Sequence, residues 1–345
     1  MSLHSEICEQ PVCLERLLRT QKQTAEKIAA AILKKDIHFV FIAARGTSET
    51  AGRYAKYLWG VKNALPIAFA APSLFTYYNH PPQLRSALVV GISQSGRSPD
   101  IVSVLTEGKR QGCPTLAITN DVASPLANAA DFVLDIGAGD ENAVAATKTY
   151  STELMSIAML SSALRNSSSM WKDLEKIPEW MRLALQTDDE VNSTAQHYHS
   201  ITNCVVLGRG FNYPTAYEWG LKLKELTYMK AAPYSSADFM HGPIAIVDGS
   251  FPIFAIVTNG AVAKSLIDLL QELRYARNVN LLTISDLNEV RQLAQYTLQI
   301  PEGIPEWLSP MVTIVPAQLF CYHLARAKGC DTESPRGIHK VTETR

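Results

Sequence analysis

The chain has no excess of charge. Among its 345 residues, 32 Lys and Arg are set against 33 Asp and Glu, a net charge of −1. With no basic field, neither nucleic acid nor an anionic membrane surface is expected as a partner. There is no CxxC pair and no Cys/His run at zinc-ligand spacing, so no metal site is expected. The six cysteines, Cys8, Cys13, Cys113, Cys204, Cys321 and Cys330, are scattered. This usage fits a reducing, cytoplasmic compartment rather than a disulfide framework. Cys113 and Cys204 adjoin apolar runs and read as core residues. No apolar h-region follows Met1, so no secretory leader is expected. No stretch reads as long and apolar enough to span a bilayer. GxxxxGK[ST] is absent, which excludes a nucleotide P-loop.

What is present is an alternation of strands and helices. Hydrophobic residues make up 47% of the chain, enough for one large or two medium domains. The segment from Met1 to Pro11 reads as an arm, and Val12 to Lys35 as a helix. Buried-type strands are expected at 38–44, 65–70, 88–92, 115–119 and 132–136. Helices are expected at 50–58, 99–112 and 147–163. A charged, serine-bearing stretch near 166–189 reads as a helical linker. Strands at 251–257 and 279–284, with helices at 262–277 and 317–328, complete the second half. That half repeats the first. Asn203-Cys-Val-Val-Leu-Gly-Arg209-Gly210 resembles Phe39-Val-Phe-Ile-Ala-Ala-Arg45-Gly46: an apolar strand, then Arg-Gly, then a polar turn and a helix. The layout predicts an α/β chain of two doubly wound units with mostly parallel sheets. The expected divisions are 1–34 (arm and helix), 35–165 (first domain), 166–198 (linker), 199–329 (second domain) and 330–345 (tail).

Four segments could carry chemistry. The strand 88–92 ends in Ser93-Gln94-Ser95-Gly96-Arg97-Ser98-Pro99-Asp100, and a helix follows at once. Serine hydroxyls and the free amides of a helix start suit a phosphate or another oxyanion. A plain capped turn uses the same residues. Glu218, Lys222 and Glu225 stand at i, i+4 and i+7, on one helical face. Such spacing usually gives surface ion pairs, whereas a shielded carboxylate beside a sugar carbon would shuttle a proton. His241 precedes Gly242-Pro243, which stops a helix. It reads either as a structural hydrogen-bonder or as a cleft residue that titrates near neutrality. The small residues of Gly139-Asp-Glu-Asn-Ala-Val144-Ala-Ala-Thr-Lys148 allow close backbone approach to a ligand, or make a loop with Thr147 as a cap.

These segments together resemble the sugar isomerase (SIS) domain family, in order and over nearly the whole chain. The similarity extends to the isomerase half of glutamine–fructose-6-phosphate aminotransferases and to stand-alone glucosamine-6-phosphate deaminases. The resemblance implies two tandem SIS domains of flavodoxin-like α/β fold. It implies that Ser93, Gln94, Ser95 and Ser98 bind the sugar phosphate, that Ser48 and Val144 contact the sugar, and that Thr47 and Glu218 support them. Glu225 matches the base that moves a proton between C1 and C2, with Lys222 beside it. His241 matches the histidine that helps open the ring, contributed across a homodimer interface. Lys340 matches a tail lysine linked to Schiff-base formation, so the tail is expected to be ordered and not frayed. Ala146 departs from the aminotransferases, which have serine there.

The implied activity is glucosamine-6-phosphate deamination to fructose 6-phosphate and ammonia, with no metal and no cofactor. Deglycation of a fructosamine 6-phosphate and simple phosphosugar isomerisation use the same site. A non-catalytic phosphosugar sensor is the reading from another class. Only an arm and one helix precede the first strand, so no glutaminase domain is expected.

Overall fold

The computed structural model describes residues 2–340. The chain divides into two compact units. The first comprises Val12–Glu141, Lys148–Glu175 and the segment from His339; the second comprises the residues up to Pro11, Asn142–Thr147 and Lys176–Ile338.

Helix α1 (Leu3–Ile32) opens the chain and takes in the segment read as an arm. Pro11 lies inside it and has no N–H for the carbonyl of Ile7. The Gln10 side chain supplies that donor instead: its Nε2 lies 2.9 Å from the Ile7 carbonyl oxygen. The helix therefore runs through the proline.

The first unit follows as β1 (Phe39–Ala43), α2 (Gly46–Asn63), β2 (Ile67–Phe69), β3 (Ala87–Ile92), α3 (Pro99–Arg110), β4 (Thr115–Thr119), β5 (Phe132–Asp135) and α4 (Lys148–Leu164). Its sheet has the order β2-β1-β3-β4-β5, every pair parallel. Strands β3 and β4 are buried throughout. Both faces are covered by helices, so these strands are continuously apolar rather than alternating. Val89, Ala117, Val104 and Leu105 form the core on one face.

After helices at Ser168–Leu174 and Ile177–Leu185, the second unit continues with α5 (Asp188–His197), β6 (Asn203–Gly208), α6 (Tyr213–Thr227), β7 (Lys230–Ser235), α7 (Ser236–Met240), β8 (Pro252–Val257), α8 (Ala263–Arg277), β9 (Asn280–Ser285), β10 (Tyr296–Gln299) and α9 (Ser309–Ala327). The sheet order is β10-β9-β8-β6-β7, again all parallel. Numbered within its own unit, this is the order of the first sheet.

The duplication extends to backbone angles. Arg45 is extended (φ −137°, ψ 154°) and Gly46 turns left-handed (φ 53°); Arg209 is extended (φ −151°, ψ 154°) and Gly210 turns left-handed (φ 58°). An L side chain at either glycine would oppose that turn.

Two readings of the sequence need correction. Helix α9 begins at Ser309 rather than 317, because Pro316 lies within it instead of marking its start. The span Glu306–Ala327 also has the length and mean hydropathy (1.2) of a membrane-crossing helix. Its composition reflects burial inside the protein: 94% of that window is enclosed. Strand β7, which contains Pro233, was not legible as a strand. It is an edge strand, where a missing donor is tolerated.

Gly96 gives the sharpest test of the local backbone. Its φ is +62°, and a Cβ there would sit 2.1 Å from Ser124 Oγ. Ser124 cannot simply yield, since its hydroxyl caps the helix Pro125–Ala129. Gly96→Ala should therefore destabilise the protein by about 2–4 kcal/mol, read as a lower urea midpoint at unchanged m.

Candidate active site

In a sheet of order 2-1-3-4-5, the crossover direction reverses between strands 1 and 3, and a crevice opens at their carboxyl ends. In the first unit those ends carry the Arg45–Ser48 turn and the serine turn. Asp100, fully buried on the first turn of α3, ties the two together. Arg45 reaches it at 2.9 Å, and its Oδ1 accepts from the Ile101 amide at 2.9 Å. The serine hydroxyls shape the turn: the Gly96 amide donates to Ser93 Oγ (3.2 Å) and the Arg97 amide to Ser95 Oγ (3.3 Å). The Gln94 carbonyl accepts from the Asn120 amide at 3.1 Å. Ser98 occupies the N-cap position of α3, but its side chain makes no cap hydrogen bond. The capping of this turn thus comes from Ser93 and Ser95 and not from Ser98. Ser93 is buried, and Gln94, Ser95 and Ser98 are half-buried at the head of a twelve-residue helix. A groove of 680 Å³ flanks the outer side of α3, lined by Phe75, Arg97, Pro99 and Arg110 among others. Ser93, Gln94, Ser95 and Ser98 do not line it.

Ser48 lies in the first turn of α2, and its hydroxyl donates to Glu153 Oε1 at 2.7 Å. Thr47 precedes it, and its carbonyl accepts from Thr50 Oγ1. Glu153 is buried in α4 and was not singled out in the sequence, where it reads as one polar residue of an apolar helix.

The loop before α4 is fixed by two buried carboxylates. Glu6 of α1 accepts from the Asn142 amide (2.6 Å) and the Ala143 amide (3.3 Å), which sets the backbone leading into half-buried Val144. Glu141 accepts from the Thr149 amide (3.1 Å) and Thr149 Oγ1 (2.8 Å) at the start of α4. Lys340 donates to Glu141 Oε2 at 2.5 Å. The tail makes further contacts before this point. Glu333 accepts from the Leu3 amide at 3.0 Å, and Arg336 stacks on Tyr228 at 4.0 Å. Residues 341–345 lie outside the described residues.

In the second unit, α6 presents the charged trio. Lys222 Nζ lies 3.4 Å from Glu218 Oε1 and 2.5 Å from Glu225 Oε2. These are not surface pairs. The side chains of Glu218 and Lys222 are 0% and 2% exposed, and only Glu225, at 22%, reaches solvent. One face of α6 thus buries an ammonium between two carboxylates and presents one of them outward. Cys321 of α9 is no competing nucleophile, because burial raises its thiol pKa far above the usual range. His241 ends the short helix α7 and is exposed, as are Met240 and Ile246 beside it.

The second crevice, between β6 and β8, has a different lining. Asn212 Nδ2 donates to Thr258 Oγ1 (3.0 Å) and Ser309 Oγ (2.7 Å). The Ala261 amide donates to Glu306 Oε2 at 3.0 Å. A carboxylate of the chain thus accepts from the turn that corresponds to the serine turn of the first unit.

Comparison with known proteins agrees with this architecture. The family profile described as the SIS domain matches residues 33–163 and 197–327. Glutamine–fructose-6-phosphate aminotransferase [isomerizing] of Thermus thermophilus is 34% identical over 350 residues, covering 97% of this chain and 57% of that protein. The chain thus spans little more than half the length of such relatives. The C-terminal domain of glucosamine-fructose-6-phosphate aminotransferase from Francisella tularensis superposes with a TM-score of 0.87 at 28% identity, covering 96% of this chain and 98% of that one. Glucosamine-6-phosphate deaminase from Thermotoga maritima superposes with a TM-score of 0.78 over the full length of both chains. At 19% identity, this likeness shows the fold alone.

The buried trio makes a stability prediction of its own. Lys222→Met removes the ammonium from two carboxylates, one of them fully enclosed. The change should cost about 3–5 kcal/mol in urea unfolding. Combining it with Glu218→Gln should cost less than the sum of the single changes.

Proposed function

Because the chain belongs to the SIS domain family, we propose that it is a glucosamine-6-phosphate deaminase, converting glucosamine 6-phosphate and water to fructose 6-phosphate and ammonia. The observation that carries the reading is the trio on α6, in which a buried lysine orients the one carboxylate that meets solvent. The serine turn supplies the phosphate site through the hydroxyls of Ser93, Ser95 and Ser98 and the amides heading α3, with Gln94 alongside. Ser48 and Val144 contact the sugar, with Thr47 and Glu218 in support. Holding the phosphate fixes the register of the carbon chain. His241 promotes ring opening. Glu225 then takes the proton from C2 and returns it at C1, which leaves an imine at C2. The Lys340 amine adds at C2 and ammonia leaves, and water then hydrolyses the lysine Schiff base to give the C2 ketone of fructose 6-phosphate and free the lysine. The six cysteines form no disulfide, in keeping with action in a reducing, cytoplasmic setting.

The same reading makes the protein a homodimer in which His241 serves the partner's site. The exposure of His241 together with Met240 (54%) and Ile246 (51%) supports it, since these apolar side chains offer contact surface around the histidine.

Purified protein should release ammonia from glucosamine 6-phosphate in step with fructose 6-phosphate formation. Glu225→Gln should lower turnover by about 10²–10⁴-fold while calorimetric binding of the phosphosugar is largely kept. Near-normal turnover in that variant would remove Glu225 from the chemistry. No ammonia from glucosamine 6-phosphate, with release of amine from a fructosamine 6-phosphate, would transfer the assignment to deglycation. Sedimentation should give a dimer, and Met240→Glu should shift it toward monomer with loss of turnover. A fully active monomer would refute the shared histidine.

A further inference from the structure

Three helical segments of the second unit bring together side chains far apart in sequence. His4 lies in the first turn of α1, Asp188 is the first residue of α5, and His323 lies in α9. His4 Nε2 is 2.7 Å from Asp188 Oδ2, and His323 Nε2 is 2.6 Å from Asp188 Oδ1. All three donor atoms lie within 4.8 Å of one another. The His323 side chain is 9% exposed, while those of His4 and Asp188 are each 31% exposed, so the cluster is walled on one side and open on the other. Sequence spacing could not show this, because positions 4, 188 and 323 match no metal-ligand motif.

We propose that His4, Asp188 and His323 form a binding site for a borderline divalent first-row cation, with zinc as the reference ion. Two imidazole nitrogens and a carboxylate are the donor set such ions take, and a water on the open side would complete a four-coordinate shell. With metal–ligand bonds of about 2.1 Å, tetrahedral donors stand roughly 3.4 Å apart. The present N–O spacings are hydrogen-bond distances, so a cation must widen them by roughly 0.7 Å. His4, near the chain terminus and partly exposed, can give that distance by a small side-chain movement.

The tautomer of His4 distinguishes a metal ligand from a plain hydrogen-bonded clasp. A clasp needs a proton on Nε2. A ligand needs the Nε2 lone pair, with the proton on Nδ1, and an outer partner normally fixes that choice. Cys8, one turn on, places its Sγ 3.9 Å from His4 Nδ1 and can serve as that acceptor. Bound there, the cation would pin α1 to α5 and α9 and would act on stability, not on the sugar chemistry.

The test uses chelator-stripped full-length protein titrated with Co(II) alone, followed by visible ligand-field absorption. One ion per chain should bind at micromolar affinity or tighter, and Zn(II) should displace it and raise Tm. His4→Gln and Asp188→Asn should each weaken binding at least tenfold and abolish the Tm rise. Asp189→Asn, exposed and one residue along, should do neither. His4→Gln alters a partly exposed side chain and carries the test if Asp188→Asn fails to fold. Absence of a saturable Co(II) band would overturn the site. So would a band of undiminished affinity in His4→Gln.

Discussion

A parallel sheet cannot return its strands by tight turns. Each strand comes back through a helix laid over one face. Where the returning helices switch faces, a gap opens at the carboxyl edge. In the first unit that switch lies between β1 and β3. The constraint decides which residues can meet a ligand. Arg45 to Ser48 and Ser93 to Ser98 are far apart in sequence, yet adjacent parallel strands deliver both turns to the same edge. The left-handed glycine after each Arg lets the chain enter its helix directly, without a connecting loop. Pleating, crossover and glycine together fix the place of the hydroxyls before any substrate is considered.

Charge is managed by the same economy of position. Exposed pairs such as Lys264–Asp268 contribute little, because water screens them. The enclosed ones are each given partners. Asp100 is held by Arg45, Glu141 by Thr149 and Lys340, and Lys222 by the two glutamates on its own helix. Each would be costly if left alone in a medium of low dielectric. Once paired, each defines a geometry. Glu6 sets a loop by accepting from its backbone amides. Gln10 does a comparable task for α1, by replacing the donor that Pro11 lacks.

Much of this was legible before any coordinates. Apolar runs ending in small polar residues marked β1, β3, β6 and their turns, because buried parallel strands leave an unbroken hydrophobic signature. The repeat of Arg-Gly after two such runs revealed the duplication. Other features lay beyond sequence patterning. The spacing of Glu218, Lys222 and Glu225 shows a shared helical face but not which way that face points, so burial was undetermined. Glu141 and Glu153 gain their meaning from partners far away in the chain. Two prolines lie inside helices: at position 11 the Gln10 side chain satisfies the carbonyl that the ring orphans, and at 316 the helix is buried along its length. Pro233 hid β7 for a similar reason, since an edge strand can lack a donor that a central one needs.

The two crevices began as copies of one design and no longer offer the same thing. In the second, Glu306 is covalently part of the chain, so its carboxylate is present at an effective concentration that no dissolved anion approaches. There it accepts from the Ala261 amide and braces the turn that leads into α8. Duplication of the fold thus leaves the corresponding turns braced differently: serine hydroxyls hold the one after β3, and a carboxylate from a distant part of the chain holds the one after β8.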